Sequence, residues 1–283
     1  MINKITIINN TRIIDNKYVI KKKNDTINDT YNYLLSRSFN YFPEIIKEDD
    51  NYIYYKYIND INEPKEQKII DLIVLLSLLH SKTTIYKEVD IDYYKYIYEN
   101  ISNTIDDTYN YYNNLMDNID KNIYMSPSNY LIARNISLIY KNLNYAKENI
   151  DLWYKIIENK RKIRVVKIHN NISLNHYLKE DKPYLISWDK SITDMPIYDL
   201  IHLYKNHYLE FEFIDLINIY LDKYPLNKEE MILFLTIISI PSKINKTKSE
   251  YQTVLEVRRI IDYVCKTDII LKEYRIEKKK DKS

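Results

Sequence analysis

The chain of 283 residues contains no glycine. Glycine adopts positive φ angles, and lets the backbone approach a ligand closely, at no steric cost. The glycine-rich loops that bind nucleotide phosphates, G-x-G-x-x-G and the Walker A motif, therefore cannot occur in this sequence. Tight turns must use asparagine or aspartate instead, because these residues tolerate the left-handed backbone region better than most.

The rest of the composition indicates a folded protein and a genome with biased base composition. Tyrosine occurs 31 times, whereas alanine is represented only by Ala133 and Ala146. Residues with A/T-rich codons have displaced those with G/C-rich codons, which indicates an A/T-rich genome. The hydrophobic content of 45% is enough for one large domain or two lobes with their own cores.

Charge and cysteine content limit the partners and the compartment. The chain has 42 Lys and Arg against 40 Asp and Glu, so its formal charge of +2 gives no overall attraction to nucleic acid or anionic lipid. The single Cys265 cannot form an internal disulfide. The longest apolar run, Met231–Ile240, is about half of the ~20 residues that a membrane helix needs. We expect a cytoplasmic protein with no membrane partner.

The first 58 residues have the pattern of short strands interrupted by one helix. A capped helix is predicted over Asp25–Ser38, with Asn24 or Asp25 as its cap. The β-rich runs lie on both sides of it, three before and two after: Ile5–Ile8, Arg12–Ile14, Lys17–Lys22, Glu44–Lys47 and Tyr52–Ile58.

Helical periodicity dominates after residue 64. Short β-like runs at Arg164–Ile168 and Tyr184–Ser187 flank a His-Asn-Asn segment within this region. Helices are predicted over residues 65–80, 90–118, 128–143, 145–159, 196–207, 211–222, 228–239 and 249–267. The predicted organisation is a β-rich lobe (1–58), a hinge (59–64), a helical lobe (65–271) and a polar basic tail (272–283).

Six short motifs carry a family resemblance in a consistent order. The segment Val165–His176 reads VVKIHNNISLNH, and YLISWD at Tyr184–Asp189 and PIYDL at Pro196–Leu200 follow it. This order is similar to that of the aminoglycoside phosphotransferase and choline kinase superfamily. In that family an apolar strand is followed by the motifs H-G-D-x-x-x-x-N, I-D-W and P-x-Y-D-L. The earlier motifs LLH, YVIK and FPE resemble further landmarks of that family: Leu78–His80, Tyr18–Lys21 and Phe42–Glu44.

The resemblance implies an α+β, two-lobed protein-kinase-like fold, with a small antiparallel-sheet N-lobe and a mostly helical C-lobe. It also implies that Lys21 is the phosphate-binding lysine of the third strand. Asp29 is the nearest acid to the helix position that pairs with this lysine in the family, although an exposed strand lysine is an equal alternative. His169 matches a histidine that packs and hydrogen-bonds in the catalytic loop of the family. Asp199 matches an aspartate that accepts hydrogen bonds from the backbone amides of that loop.

Three positions depart from the family pattern where the chemistry takes place. Asn171 replaces the aspartate that aligns or deprotonates the attacking hydroxyl, and an amide oxygen does not take up that proton. His176 replaces the metal-binding asparagine, and Ser187 replaces the principal Mg²⁺ carboxylate. A register shift would substitute Asn175 and Asp189 for the last two. Asp189 would then have to lie on the same strand face as Ser187.

These departures favour a pseudokinase that acts as a binding or scaffold module, with an unidentified protein or a small molecule in the old substrate cleft and no cofactor. A structural role in a bacterial spore is one version, since relatives with this fold include spore-coat proteins. The alternative is an active kinase that uses ATP and Mg²⁺ to phosphorylate an amino-alcohol, aminoglycoside or sugar. Nucleic-acid binding through residues 275–283 is a third hypothesis and the weakest, because no aromatic residues accompany the charge.

Overall fold

The computed structural model describes residues 5–8, 11–24, 26–245 and 249–280, with side chains described for 11–24, 26–245 and 249–274. Five antiparallel strands form the first sheet, in the order β1-β2-β3-β5-β4, and one helix, α1 (Ile27–Ser36), lies between β3 and β4 in the chain. The strands are β1 (Ile5–Ile8), β2 (Thr11–Ile14), β3 (Tyr18–Lys22), β4 (Ile45–Glu48) and β5 (Tyr52–Lys56). The predicted strand-rich start of the fold is confirmed; Asp25, one of the two predicted caps, lies outside the described residues.

In this first region, the buried side chains recur with the spacing expected for strands and helices. In β5, Ile53 and Tyr55 are buried whereas the residues between them are more exposed, as expected for a strand with one face on a core. Leu34 of α1 is fully buried, and the ring of Tyr31 lies 4.0 Å from that of Phe42. Burying such side chains contributes about 1.5 to 3 kcal/mol each, so this small sheet has its own hydrophobic support.

Asparagine and aspartate perform the turn role that glycine cannot perform here. The β2–β3 hairpin turns at Asp15 and Asn16, with φ angles of 51° and 52°, and Lys17 N donates to Ile14 O at 2.9 Å. Two successive positive φ angles with this hydrogen bond define a type I′ turn, which matches the twist of the flanking strands. Asn170 is a third such residue among those with positive φ, which also include Ser38 and Ser187.

Seven helices follow within the described residues, and all but one lie close to their predicted positions. Their bounds are α2 (Lys65–Thr83), α3 (Ile91–Asp120), α4 (Pro127–Ile157), α5 (Ile197–His207), α6 (Phe213–Lys223), α7 (Lys228–Ile238) and α8 (Glu250–Lys280). The prediction of two helices over 128–143 and 145–159 is wrong, since α4 is continuous. Its buried face runs through Ile139, Leu143, Ala146 and Ile150, and no glycine or proline interrupts it.

Two further differences concern the ends of elements. Helix α8 continues beyond residue 267, and its backbone is helical as far as Lys280, so most of the predicted tail is helical; residues 281–283 lie outside the described chain. The strand predicted over Tyr184–Ser187 ends two residues early. Its last residue, Ser187, has left-handed backbone angles and precedes a 3₁₀ turn at Trp188–Lys190.

Five short strands complete the fold, three of which were not predicted. They are β6 (Ile85–Glu88), β7 (Lys162–Ile168), β8 (Tyr177–Lys179), β9 (Pro183–Leu185) and β10 (Ile192–Asp194). Strands β8 and β9 form an antiparallel hairpin, and a three-stranded sheet has the order β10-β7-β6. The strands β6, β8 and β10 have three or four residues each, too few for alternation to be recognised in the sequence.

The chain divides into two compact units. The first comprises Met1–Ile85, Arg164–Leu203 and Leu216–Pro225, and the second comprises Tyr86–Ile163, Tyr204–Asp215 and Leu226–Ser283. The predicted hinge at residues 59–64 lies inside the first unit, and the lobe boundaries stay a prediction. Across the described part of the chain, no helix combines the length and the apolarity that crossing a bilayer requires.

Replacing Asn16 tests whether the type I′ turn limits stability. Asn16→Ala should lower the free energy of unfolding by ~1 to 2 kcal/mol, because alanine is disfavoured in the left-handed region. Asn16→Gly should change it by less than ~1 kcal/mol, because this turn prefers glycine at its second central position whereas glycine also has more conformational freedom in the unfolded chain. Urea denaturation of both variants measures these changes.

The matched control is Asn114→Ala at an exposed position inside α3. There the same substitution should stabilise by ~0.5 kcal/mol, because alanine has the higher helix propensity. Equal effects at positions 16 and 114 would contradict the role given to the turn.

Candidate functional site

A buried carboxylate holds the loop that follows β7. Asp199, in the first turn of α5, is fully buried; its Oδ2 accepts from the backbone N–H of His169 and its Oδ1 from that of Asn170, both at 2.8 Å. Burial alone would raise the pKa of Asp199. The hydrogen bond and charge of His80, together with His169, outweigh this effect and lower the pKa. Asp199 therefore fixes the start of the loop as an ionised acceptor.

Helix α2 supplies a second layer beneath this loop. His80 is fully buried, with Nε2 at 3.3 Å from Asp199 Oδ2 and Nδ1 at 2.6 Å from the hydroxyl of Tyr220. In the sequence, His80 stands out only as the last residue of the LLH motif, which assigns it no role. Its position near the end of a largely apolar helix face could have indicated a structural role, because a histidine buried on such a face requires hydrogen-bond partners.

His169 is a structural residue of the loop in this geometry. Its Nε2 lies 2.8 Å from the carbonyl oxygen of Ile186, so Nε2 carries the proton and Nδ1 does not. The ring packs edge-on to Trp188 at 4.9 Å, and burial lowers its pKa to about 4. Nδ1 is buried and has no hydrogen-bond partner within the protein. The neutral imidazole of His169 is therefore a buried structural group of the loop.

The histidine at the predicted metal position folds back on the loop. His176 Nδ1 lies 2.5 Å from the backbone oxygen of Asn171 and 3.1 Å from Ser173 Oγ. Burial, followed by the charges of Lys21 and Lys190, lowers the pKa of His176 against the opposing effect of the Asn171 hydrogen bond. Two nearby ammonium groups make the imidazole a poor place for a divalent cation.

Lys21 reaches the segment after β9 and not the helix. Its Nζ donates to Ser187 Oγ at 2.9 Å and lies 3.8 Å from Asp189 Oδ2. Burial lowers the pKa of Lys21, and the charge of Asp189 opposes this shift. The predicted alternative partner, Asp29, is exposed, and Lys21 lies on the strand with only 21% of its side chain exposed. Lys21 therefore contacts Ser187 and Asp189, which matches neither of the two alternatives, a pairing with Asp29 or an exposed strand lysine.

A register shift would require Asp189 to lie on the same strand face as Ser187, and neither residue lies in a strand. Ser187 turns the chain at φ 67° and ψ 54°, and Asp189 lies in the 3₁₀ turn that follows. This change of direction brings the Asp189 carboxylate towards Lys21. The helix position where a family glutamate was expected holds Asn28, whose amide donates to Glu48 at 2.8 Å.

The predicted site residues meet in the first unit. A backbone hydrogen bond of 2.9 Å from Ile186 N to His176 O joins the hairpin to the loop, so Asn171, His176 and Ser187 lie on one connected set of contacts. Lys21 joins this set through Ser187. The arrangement offers an ammonium group, a hydroxyl group, an imidazole and the half-exposed carboxylate of Asp189.

No protein-family model and no curated protein matches this sequence. The structure, in contrast, is similar to solved phosphotransferases. An aminoglycoside phosphotransferase from Alicyclobacillus acidocaldarius has a TM-score of 0.69 at 9% identity, and the match covers 97% of this chain and 92% of that one.

Two further structures support the same fold. A glucosamine kinase in complex with glucosamine, ADP and inorganic phosphate has a TM-score of 0.57 at 10% identity, covering 99% of this chain and 81% of that one. An AMP-bound spectinomycin phosphotransferase has a TM-score of 0.55 at 13% identity, covering 93% and 92%. The protein-kinase-like phosphotransferase fold is therefore confirmed, and identities this low show the fold alone.

The buried imidazole of His169 predicts an acid sensitivity. Its pKa falls from 6.5 to about 4 on folding, so the unfolded chain takes up the proton first as the pH falls. The free energy of unfolding should drop by ~3 kcal/mol between pH 7 and pH 4 from this group, at ~1.4 kcal/mol per pKa unit. Urea denaturation across this range measures the total pH dependence.

The matched variant is His169→Gln, whose amide nitrogen can still donate to Ile186 O but does not titrate. Its free energy of unfolding should fall by ~3 kcal/mol less than that of the wild type over the same pH range. Parallel curves for the two proteins would show that His169 is not a buried neutral group.

Proposed function

We propose that this protein is a pseudokinase: a phosphotransferase fold that acts as a binding or scaffold module and does not transfer phosphate from Mg·ATP. The observation that carries the proposal is the 2.9 Å hydrogen bond from Lys21 Nζ to Ser187 Oγ. By resemblance, Lys21 stands where a kinase binds phosphate and Ser187 where it holds its metal. In this chain the two side chains bind each other.

The loop also lacks a group to take the proton from a substrate hydroxyl. Asn171 stands at the aspartate position, and an amide is not a base near neutral pH. Removing the general base alone reduces enzymatic rates by about 10² to 10⁴. The nearby imidazole of His176 points its Nδ1 at the loop backbone, which supports a structural role for this ring.

The donor set does not fit magnesium. Mg²⁺ requires oxygen ligands in near-ideal octahedral geometry and usually takes one or two carboxylates from the protein. The family metal positions supply an imidazole and a hydroxyl, and the neighbouring carboxylate of Asp189 faces Lys21 at 3.8 Å. Within the described residues, no three His, Cys, Asp or Glu side chains are grouped so that they could hold a metal ion.

The hydrogen bonds that hold the loop after β7 support a binding role for the protein. Asp199 and His80 still hold the loop with hydrogen bonds, so the backbone of the loop stays ordered although the groups at positions 171, 176 and 187 have changed. The occupant that we propose is a protein partner or a small molecule, in a reducing cytosol where the exposed Cys265 stays a free thiol.

One observation favours a second candidate, an active small-molecule kinase. Asp189 lies within 3.8 Å of Lys21 and is 44% exposed, so a register-shifted enzyme could use it as its metal carboxylate. Such an enzyme would need ATP and Mg²⁺, and its substrates would be amino-alcohols, aminoglycosides or amino sugars.

A turnover assay with Mg·ATP separates the two candidates. With choline, ethanolamine, aminoglycosides and glucosamine as acceptors, the wild-type protein should release no more ADP than a no-enzyme control. The triple variant Asn171→Asp, His176→Asn and Ser187→Asp should gain Mg²⁺-dependent nucleotide binding, because it supplies the base and both oxygen ligands together.

Each single substitution should gain little, since these groups act as a unit. Asn114→Asp, at an exposed position inside α3, is the matched control and should gain nothing. Robust turnover by the wild type that Asp189→Ala abolishes would overturn the pseudokinase proposal and establish the second candidate.

A further inference from the structure

One exposed face of helix α8 follows the seven-residue repeat of a coiled coil. Exposed side chains recur along this face at alternating intervals of four and three residues. An average interval of about 3.5 residues matches positions a and d of the heptad, through which one helix packs on another. The residues with this spacing form the α8 stripe: Tyr251, Leu255, Arg258, Asp262, Cys265 and Ile269.

The α8 stripe is apolar towards both ends and charged in the middle. At its ends, Tyr251 is 72% exposed and Ile269 is 51% exposed. Leu255 and Cys265 come next towards the middle, and both are exposed as well. Single exposed apolar residues are common on protein surfaces, whereas apolar residues aligned on one helix face are typical of an interaction site.

Two antiparallel copies of α8 match each other along this stripe. The order of the intervals reverses in a helix that runs the other way, so each a position of one copy meets a d position of the other. With a twofold axis beside Ile260, the matched residues extend over about 27 Å of helix, at 1.5 Å per residue. The pairs, each formed twice by symmetry, are Tyr251 with Ile269, Leu255 with Cys265, and Arg258 with Asp262.

The two central charges select this arrangement and identify a second copy of the chain as the occupant. In the antiparallel register, Arg258 of each copy faces Asp262 of the other, and both contacts are attractive. A parallel pair of helices would place each of these residues against its own copy, which is repulsive. A shift by one heptad would place Arg258 against Leu255 or Ile269 and leave the charge unpaired. Polar residues at such positions fix the register of a coiled coil in the same way.

We propose that this protein forms a twofold-symmetric homodimer through α8, with the two helices antiparallel and the α8 stripe at their contact. The interface is isologous, since each copy contributes the same residues. All of these residues belong to the second compact unit, whereas Lys21, Ser187 and the loop after β7 belong to the first. The dimer therefore does not depend on the proposed pseudokinase function, and a test of one does not decide the other.

Two residues beside the twofold axis set the strength of the contact. Ile261 is half-buried and meets Ile261 of the second copy, which adds apolar contact. On the other side of the stripe, the exposed Arg259 meets its own copy, and like charges across an interface repel. We therefore expect a dimer that dissociates on dilution, so its affinity is measured by varying the protein concentration.

Charge reversal tests the dimer on the full-length protein. Sedimentation equilibrium of the wild type should give a mass that rises with concentration from 34.5 kDa, the mass of one chain, towards twice this value. Arg258→Asp and Asp262→Arg should each weaken dimerisation at least ~100-fold, because like charges then face each other at the axis. An equimolar mixture of these two variants should dimerise again, since opposite charges then face each other.

Asp107→Arg, an equal charge reversal at an exposed position of α3, is the matched control. It should dimerise like the wild type. Positions 258 and 262 are exposed, so circular dichroism should show the helix content of the wild type in both variants. The mixture also controls for folding, because misfolded chains would not regain dimerisation when combined.

A cysteine pair tests the register. Leu255→Cys places a thiol opposite Cys265 of the second copy, so oxidation with diamide should give a dimer on a non-reducing gel, and peptide mass spectrometry should identify a 255–265 disulfide. In the wild type, the two Cys265 residues lie about 15 Å apart along the helix axis, which is too far for a disulfide. Glu273→Cys adds an exposed thiol on the same helix beyond the stripe, and it should not cross-link.

Several results would rule out this dimer. One is a wild type that stays monomeric up to millimolar concentration, as expected if a different protein binds this face. Others are unchanged dimerisation of Arg258→Asp, or a mixture of the two charge variants that stays monomeric. The register would be wrong if Leu255→Cys failed to cross-link, or if the wild type or Glu273→Cys cross-linked as efficiently.

Discussion

Two backbone amides of the loop after β7 donate to one buried carboxylate, that of Asp199. A carboxylate without solvent is stable only when its lone pairs are satisfied, and here His80 supplies a further partner at 3.3 Å. Loss of the acceptor would leave the buried N–H group of His169 and the partly buried N–H group of Asn170 without their partner, and an unsatisfied buried group costs about 1 to 3 kcal/mol. The positions of Asn171 and His176 depend on this contact, because they follow in the same loop.

In this chain, which has no glycine, an asparagine provides a positive φ angle in the loop after β7. Asn170 stands at the glycine position of the family motif with a φ of 56°, and its side-chain amide donates to Lys190 O at 3.0 Å. Asparagine tolerates this conformation, and the added hydrogen bond ties the loop to the segment after β9. In the proposed function, the loop keeps an ordered backbone while the groups at positions 171, 176 and 187 differ from those of the motif that the sequence resembles.

Local patterns were sufficient to predict most of the fold, and long-range contacts limited the prediction of the site. Alternating and helical periodicities located β1–β5 and the starts of the helices, because these signals reside in neighbouring residues. The burial of Asp199 was expected from a motif. The contact of Lys21 with Ser187 was not expected. It depends on the left-handed backbone conformation of Ser187, and the conformational preferences of serine do not predict this conformation. His80 was underrated for a related reason: its partners lie 119 and 140 positions away.

The central claim is that the loop is preserved while the site for metal-bound nucleotide is lost. The most direct measurement is thermal unfolding with ATP, in the presence of Mg²⁺ and of a chelator. A ligand at 100 times its Kd stabilises a protein by ~2.7 kcal/mol, which is readily detected. We predict that millimolar Mg·ATP gives no saturable increase in Tm over the chelated sample. A saturable increase that requires Mg²⁺ and disappears in Asp189→Ala would contradict the claim.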